Sequence, residues 1–194
     1  LVRHSFAVRL KDFPGVFDVG AEGVRLNGRL ADFESRTRAV AEVLERLRVR
    51  GEIPGWRDEP YPVATSFSAP PLMNMERAAV PLFGVRGYGV HMNGVVGGGA
   101  DVRMWIAKRS LAKPTGPGKL DQLVAGGQPA GVSLADNLIK ECAEEAAIPA
   151  DLARRAVPIG AVSYVTERPE SLRRDVLFNY DLQLPESFEP HNAD

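Results

Sequence analysis

The sequence predicts an α/β protein in two parts: a small α+β region, then a region in which strands surround one glutamate-rich helix. Three observations carry this. A glycine-bearing stretch, Gly126, Gly127 and Gly131, leads into apolar-periodic sequence from Leu134 to Ala147. Short strand-like runs flank that stretch on both sides. Glycines at 84 and 87 separate it from an N-terminal third with its own helical and strand-like patterns. The expected division is 1–85 and 86–194.

In the first part, Phe6 to Leu10 reads as a short helix stopped by Pro14-Gly15. Phe17 to Val19 and Val24 to Leu26 read as strands around Gly20 and Gly23. Val40, Val43, Leu44 and Leu47 recur at helical spacing between Asp32 and Arg50, and Gly51 ends the run. Gly55 to Val63, with Trp56 and Tyr61 among prolines, reads as a core plug and turn rather than a binding surface. Met73 to Phe83 reads as a second helix. No catalytic pattern occurs in this part.

In the second part, Tyr88 to Asn93 and Val102 to Ala107 are expected to form a hairpin around Gly97-Gly98-Gly99. His91 has no partner at metal-ligand spacing and reads as an ordinary strand histidine. Lys108, Arg109 and Lys113 precede a Pro-Thr-Gly-Pro-Gly loop and are candidates for neutralising an anionic group. Leu120 to Val124 is a strand leading to the glycine turn. After the central helix, Pro149 to Ala153 starts another, and strands follow around Ile159 to Val165 and Asp175 to Leu182.

On a helix from Leu134, Leu138, Cys142 and Ala146 share one face, while Glu141, Glu144 and Glu145 gather on the other at spacings of three and four. Clustered carboxylates repel by a few tenths of a kcal/mol per pair on a solvated helix. Such a cluster is either exposed surface or a seat for a divalent cation. Cys142, on the apolar side, reads as a small buried hydrophobe.

Gly126, Gly131, Lys140-Glu141-Cys142-Ala143-Glu144-Glu145 and Ile148 resemble the Nudix box, in register without a gap from Gly126. Three positions depart from the pattern: Val132 stands where the box has Glu, Lys140 where it has Arg, and Ala147 where it has Gly. The wider run KPTGPGKLDQLVAGGQPAG, with PIGAVSYV and DVLFNYDLQLP, is similar to a Nudix subgroup with a distinctive N-terminal domain. That subgroup includes plant plastid Nudix proteins and the Nudix half of fungal thiamine pyrophosphokinases. The resemblance implies a Nudix α/β/α sandwich with a mixed sheet, preceded by the small α+β domain. The family continues with a strand and a further helix, so a Nudix domain incomplete on its C-terminal side is expected. Both ends of the chain read as cuts.

The resemblance also implies metal-dependent hydrolysis of a small-molecule diphosphate. Glu141, Glu144 and Glu145 are the expected catalytic carboxylates and metal ligands, Gly126 a further ligand through its carbonyl, and Lys140 an orienting residue. Gly126, Gly127 and Arg109 are the expected substrate contacts. Mg²⁺ is the expected ion, with Mn²⁺ as the alternative. Thiamine diphosphate, or its oxidised and damaged forms, is the first substrate class; ADP-ribose or another nucleoside diphosphate derivative is the second. A non-catalytic Nudix binding module is a further alternative, and an isopentenyl diphosphate isomerase would need a cysteine facing the site. The general base is unassigned.

Lys and Arg total 24 against 25 Asp and Glu, a net charge of −1. A chain so balanced carries no electrostatic footprint for nucleic acid or an anionic membrane. No apolar run reaches the ~20 residues a spanning helix needs. One cysteine excludes an internal disulfide and fits a reducing compartment, and the expectation is a cytoplasmic protein. For the N-terminal part, a homodimer contact and a cover over the site are both open.

Overall fold

A computed structural model describes residues 2–112 and 116–192. Leu1, Lys113, Pro114, Thr115, Ala193 and Asp194 lie outside the described residues, and with them the expectations for Lys113 and for the extreme chain ends. The chain divides into two compact units. The first comprises Leu1–Gly87 with Tyr164–Asp175; the second comprises Tyr88–Ser163 with Val176–Asp194.

The first unit begins with α1 (His4–Leu10), which buries Phe6 and Leu10 one helical turn apart. The strands β1 (Phe17–Gly20) and β2 (Gly23–Leu26) pair antiparallel, Phe17 opposite Leu26. Helix α2 (Phe33–Val49) buries Val40, Val43, Leu44 and Leu47 on one stripe. A capping box starts it: the Asp32 carboxylate accepts the Ser35 amide at 2.7 Å, and the Ser35 hydroxyl accepts the Asp32 amide at 3.3 Å. The core also takes in Tyr61, Met75 and Phe83, with Phe83 edge-on to Phe6 at 5.2 Å between ring centroids.

One expected helix is a strand. Met73 to Glu76 is β4, antiparallel to β3 (Pro60–Val63), and only Arg77–Ala79 turns helically, as a single tight turn. Burial explains it. Met73 and Met75 are buried while Asn74 and Glu76 are half-exposed, a period of two that a row of apolar residues conceals. Glu76 then holds the β3 approach, accepting from the amides of Arg57 and Glu59.

The second unit is built on a curled mixed sheet. Its long strand β5 (Arg86–Val96) buries Val90, Met92 and Val96. The hairpin expected around Gly97–Gly99 is reduced on its second side to β6 (Arg103–Met104), and β7 (Ala107–Lys108) pairs instead with β8 (Leu120–Asp121). Then follow β9 (Val124–Gly127), α3 (Leu134–Ala146), α4 (Ala150–Ala153), β10 (Val157–Glu167) and β11 (Leu172–Gln183). The strand order is β10-β11-β5-β6, and β9 also pairs with β5. Helix α3 and strand β5 share an apolar core with Ile148, Leu182 and Leu184.

Candidate active site

The site starts from an edge. Strand β9 pairs with β5 through Gly89–Gly127, Val90–Gly126, His91–Ala125 and Met92–Val124. Gly126 and Gly127, expected in a turn, are therefore strand residues; Gly131 makes the turn, with φ of 79°. The Ala125 amide donates to Glu145 Oε2 at 2.7 Å. Helix α3 is thus tied to β9 by one of its own glutamates.

Gly126 has to be glycine for a local reason. A Cβ built there would lie 2.2 Å from Glu141 Cδ. The Glu141 carboxylate lies directly on the strand backbone, with a side chain only 12% exposed. Gly126's own carbonyl lies against Gly89 of β5, 2.7 Å from where a Gly89 Cβ would stand. Glu141 and Glu145, one turn apart, flank β9 rather than face solvent, which corrects the simple two-faced reading of the helix. Glu144 is more open, at 38%.

Lys140 sits among them, its Nζ 3.2 Å from Glu141 Oε1 and 3.0 Å from Glu144 Oε2. Partial burial pulls its ammonium downward, but the hydrogen bonds and charges of Glu144 and Glu141 outweigh this and hold its pKa above the ordinary value. Where an arginine would fork, the lysine bridges two carboxylates as a point charge.

Sequence reasoning missed the residues that pin the loop. Asn137 is fully buried in the first turns of α3. Its Nδ2 donates to the Gly127 carbonyl at 2.9 Å and to Gln128 Oε1 at 3.2 Å. Gln128 Nε2 donates in turn to the Val132 carbonyl at 2.6 Å. The signal was available: Asn137 stands four residues before Glu141, on the glutamate side of the helix. Ser133 caps α3, its Oγ accepting the Asp136 amide at 3.1 Å. At the other end Ala147 N–H reaches the Ala143 carbonyl and Ile148 N–H the Cys142 carbonyl, a Schellman closure with Ala147 at φ 50°.

Cys142 is fully buried, 3.5 Å from Met92 Sδ. Burial first, then the charges of Glu141 and Glu145, push its thiol up to about 12. It packs; it does not react. Arg109 pairs with Asp121 at 2.5 Å across β7–β8, so an anion would have to share it. Gly127 offers its carbonyl to Asn137. Of the expected site residues, the structure gathers Lys140, Glu141, Glu144, Glu145 and Gly126 at one strand edge. Arg109 is held by its own carboxylate partner.

Among the described residues no three His, Cys, Asp or Glu groups converge into a preformed metal cage. The reason is local: Lys140 draws on Glu141 and Glu144 while Glu145 is taken by a backbone amide. The donors are nevertheless all carboxylate oxygens on a rigid helix. They fit a hard cation that keeps waters and takes few protein ligands.

A mixed α/β unit whose central helix presents three carboxylates at the edge of a glycine strand defines the class. A family model described as a domain of unknown function, DUF4743, matches residues 1–87. Over the whole chain the sequence is 49% identical to Nudix hydrolase 20, chloroplastic, and 50% identical to Nudix hydrolase 24, chloroplastic, both of Arabidopsis thaliana. The chain spans 54% and 53% of those relatives, about half their length. Identity near one half over the whole chain makes it similar to these Nudix hydrolases along its full length, the N-terminal unit included. A solved MutT protein of Methanosarcina mazei covers 56% of this chain and 70% of its own, at 17% identity and a TM-score of 0.42, too distant to argue from.

One expectation is overturned here. The chain was read as cytoplasmic, yet both of these relatives are named as chloroplastic. The physical reason for the error is simple: a low cysteine count reports a reducing environment, and that is no address.

Proposed function

We propose that the chain carries the catalytic part of a Nudix pyrophosphohydrolase that cleaves a small-molecule diphosphate to a monophosphate, with the chloroplast as the compartment in which to seek it. The observation that carries this reading is the Glu141–Glu145 pair fixed against β9, with Glu144 open beside it. A shielded phosphorus resists attack by water because its oxygens are negative. A divalent cation, Mg²⁺ by the donor set with Mn²⁺ as the alternative, would supply charge neutralisation and acidify water. Glu144 and Glu145 are the leading ligands, and Glu141 completes the set. Lys140 restrains Glu141 and Glu144, holding their carboxylates in place on the helix. Gly126 leaves the room that Glu141 occupies.

Thiamine diphosphate or an oxidised analogue is the first substrate, supported by the resemblance of the whole run from Lys113 to Pro149 to the thiamine-linked subgroup. A nucleoside diphosphate derivative such as ADP-ribose is the second. The decisive assay presents thiamine diphosphate, oxythiamine diphosphate, ADP-ribose and isopentenyl diphosphate with Mg²⁺, with Glu144→Gln as control. Release of a monophosphate, lowered at least ~100-fold in the variant, is the expected result; loss of one interaction with developing charge costs about this much. Mn²⁺ binding followed by electron paramagnetic resonance, weakened in the same variant, reads the ligand role without turnover. Equal Mn²⁺ affinity in both proteins would remove Glu144 from the ligand set.

A further inference from the structure

The three glutamates of α3 are held in two different ways. Glu145 is fixed by backbone: its Oε2 accepts the Ala125 amide at 2.7 Å. Glu141 and Glu144 are held by one side chain, Lys140. Its Nζ lies 3.2 Å from Glu141 Oε1 and 3.0 Å from Glu144 Oε2. Two of the three carboxylates in the ligand set therefore share a single ammonium.

That ammonium competes for the same oxygens as a divalent ion. A bound Mg²⁺ lies about 2.1 Å from each ligand oxygen. An ion on Glu141 and Glu144 would then come within a few ångströms of a cation bonded to the same two groups. Like charges so close repel, and at a partly buried site water screens them little. The carboxylates can satisfy the lysine or the ion, but not both at full strength.

Packing decides which group yields. Glu141 cannot withdraw, since its side chain is only 12% exposed and rests on β9 at Gly126. Lys140 is 48% exposed and carries its charge on a flexible four-carbon stem. Its pair with Glu144 has the lysine four residues before the glutamate, the weaker of the two orders on a helix. An ion pair this open to water is easily broken. An arginine, whose planar fork matches a carboxylate, would hold on more firmly.

We propose that Lys140 is a displaceable counterion, neutralising Glu141 and Glu144 until a divalent cation takes its place and then swinging out to water. This rests on the hydrolase reading and deepens it. Loading the site is an exchange of one cation for another, with Glu145 as the anchor that stays put. The residue at position 140 therefore sets how tightly the ion is held.

The test follows Mn²⁺ binding by electron paramagnetic resonance in the whole chain and in Lys140→Met and Lys140→Arg. Methionine keeps an unbranched stem and good helix propensity without the charge. Displacement predicts binding about ten-fold tighter in the methionine variant, because a like charge has gone, and weaker binding in the arginine variant. A lysine that only positions the glutamates predicts the opposite sign for methionine, since loosened carboxylates bind more weakly. A second measurement uses the unaltered chain and so does not depend on how the variants fold. Acetylation of lysines by acetic anhydride is mapped by mass spectrometry, with the exposed Lys108 and Lys119 as references. Saturating Mg²⁺ should speed labelling of Lys140 several-fold relative to both. Equal or weaker Mn²⁺ binding in the methionine variant, or labelling of Lys140 that Mg²⁺ leaves unchanged or slows, overturns the proposal. If the unaltered chain still binds Mn²⁺ in that case, the hydrolase reading survives alone. If neither the unaltered chain nor the methionine variant binds Mn²⁺, both fall together.

Discussion

At the scale of single residues, the site owes its form to two buried groups whose chemistry is spent on structure. Cys142 shares the core with Met92, and its thiol is pushed up to about 12, so almost no thiolate exists at pH 8. Alkylation by iodoacetamide in the native protein should run at the rate of opening, at least ~100-fold slower than in urea; fast native labelling would show that the helix does not pack as described. Asn137 has a different task. Replacing it with leucine leaves the Gly127 carbonyl and the Gln128 side chain without their donor, at a cost of roughly 1–3 kcal/mol. The expected outcome is a lowered urea midpoint together with weaker Mn²⁺ binding, since the same bonds hold the strand against which Glu141 rests. A stability loss with unchanged metal affinity would separate the loop from the site.

At the scale of elements, the ends of the helices are informative. Ala147 closes α3 in the left-handed region, where a Cβ costs about 1 kcal/mol that glycine avoids. Ala147→Gly should therefore raise stability by about that amount, read as a higher melting temperature, with no change in Glu145's tie to β9. At the head of α2, hydrogen bonds from the Ser35 backbone lower the Asp32 carboxyl below its ordinary value despite some desolvation. A depressed carboxyl contributes stability that is present above its unfolded pKa and lost as pH falls through its folded one. Asp32→Asn should then flatten the acid limb of the stability curve below about pH 4. An unchanged acid limb would mean that the cap carries no net charge preference.

At the scale of the molecule, the first unit is not one continuous stretch. Tyr164–Asp175 belongs with residues 1–87, and within that unit Arg9 pairs with Glu170 at 2.8 Å while the Leu172 amide donates to the Pro81 carbonyl at 2.9 Å. Leu172 is itself buried. A fragment ending at Gly87 lacks that cover, although a family model spans only this part. Such a fragment should show a lower urea midpoint and stronger binding of a hydrophobic dye than the whole chain. Equal midpoints would make residues 1–87 an independent domain.

What could be read from sequence was whatever repeats at short range. The 3.6-residue stripes placed α2 and α3, the register from Gly126 to Ile148 brought the glutamates to one helix, and together they pointed to the family. Tertiary structure decided the rest, because it depended on what each segment met. Met73 to Glu76 became a strand because Tyr61 and its neighbours offered a ladder. Gly126 and Gly127 became strand residues because β5 lay alongside them. His91, without a partner in the linear reading, gained Gln122 from 31 residues away, and Asn93 gained Asp181 from 88 residues away. Local periodicity is a property of the chain, but a partner across a sheet exists only once the sheet has formed.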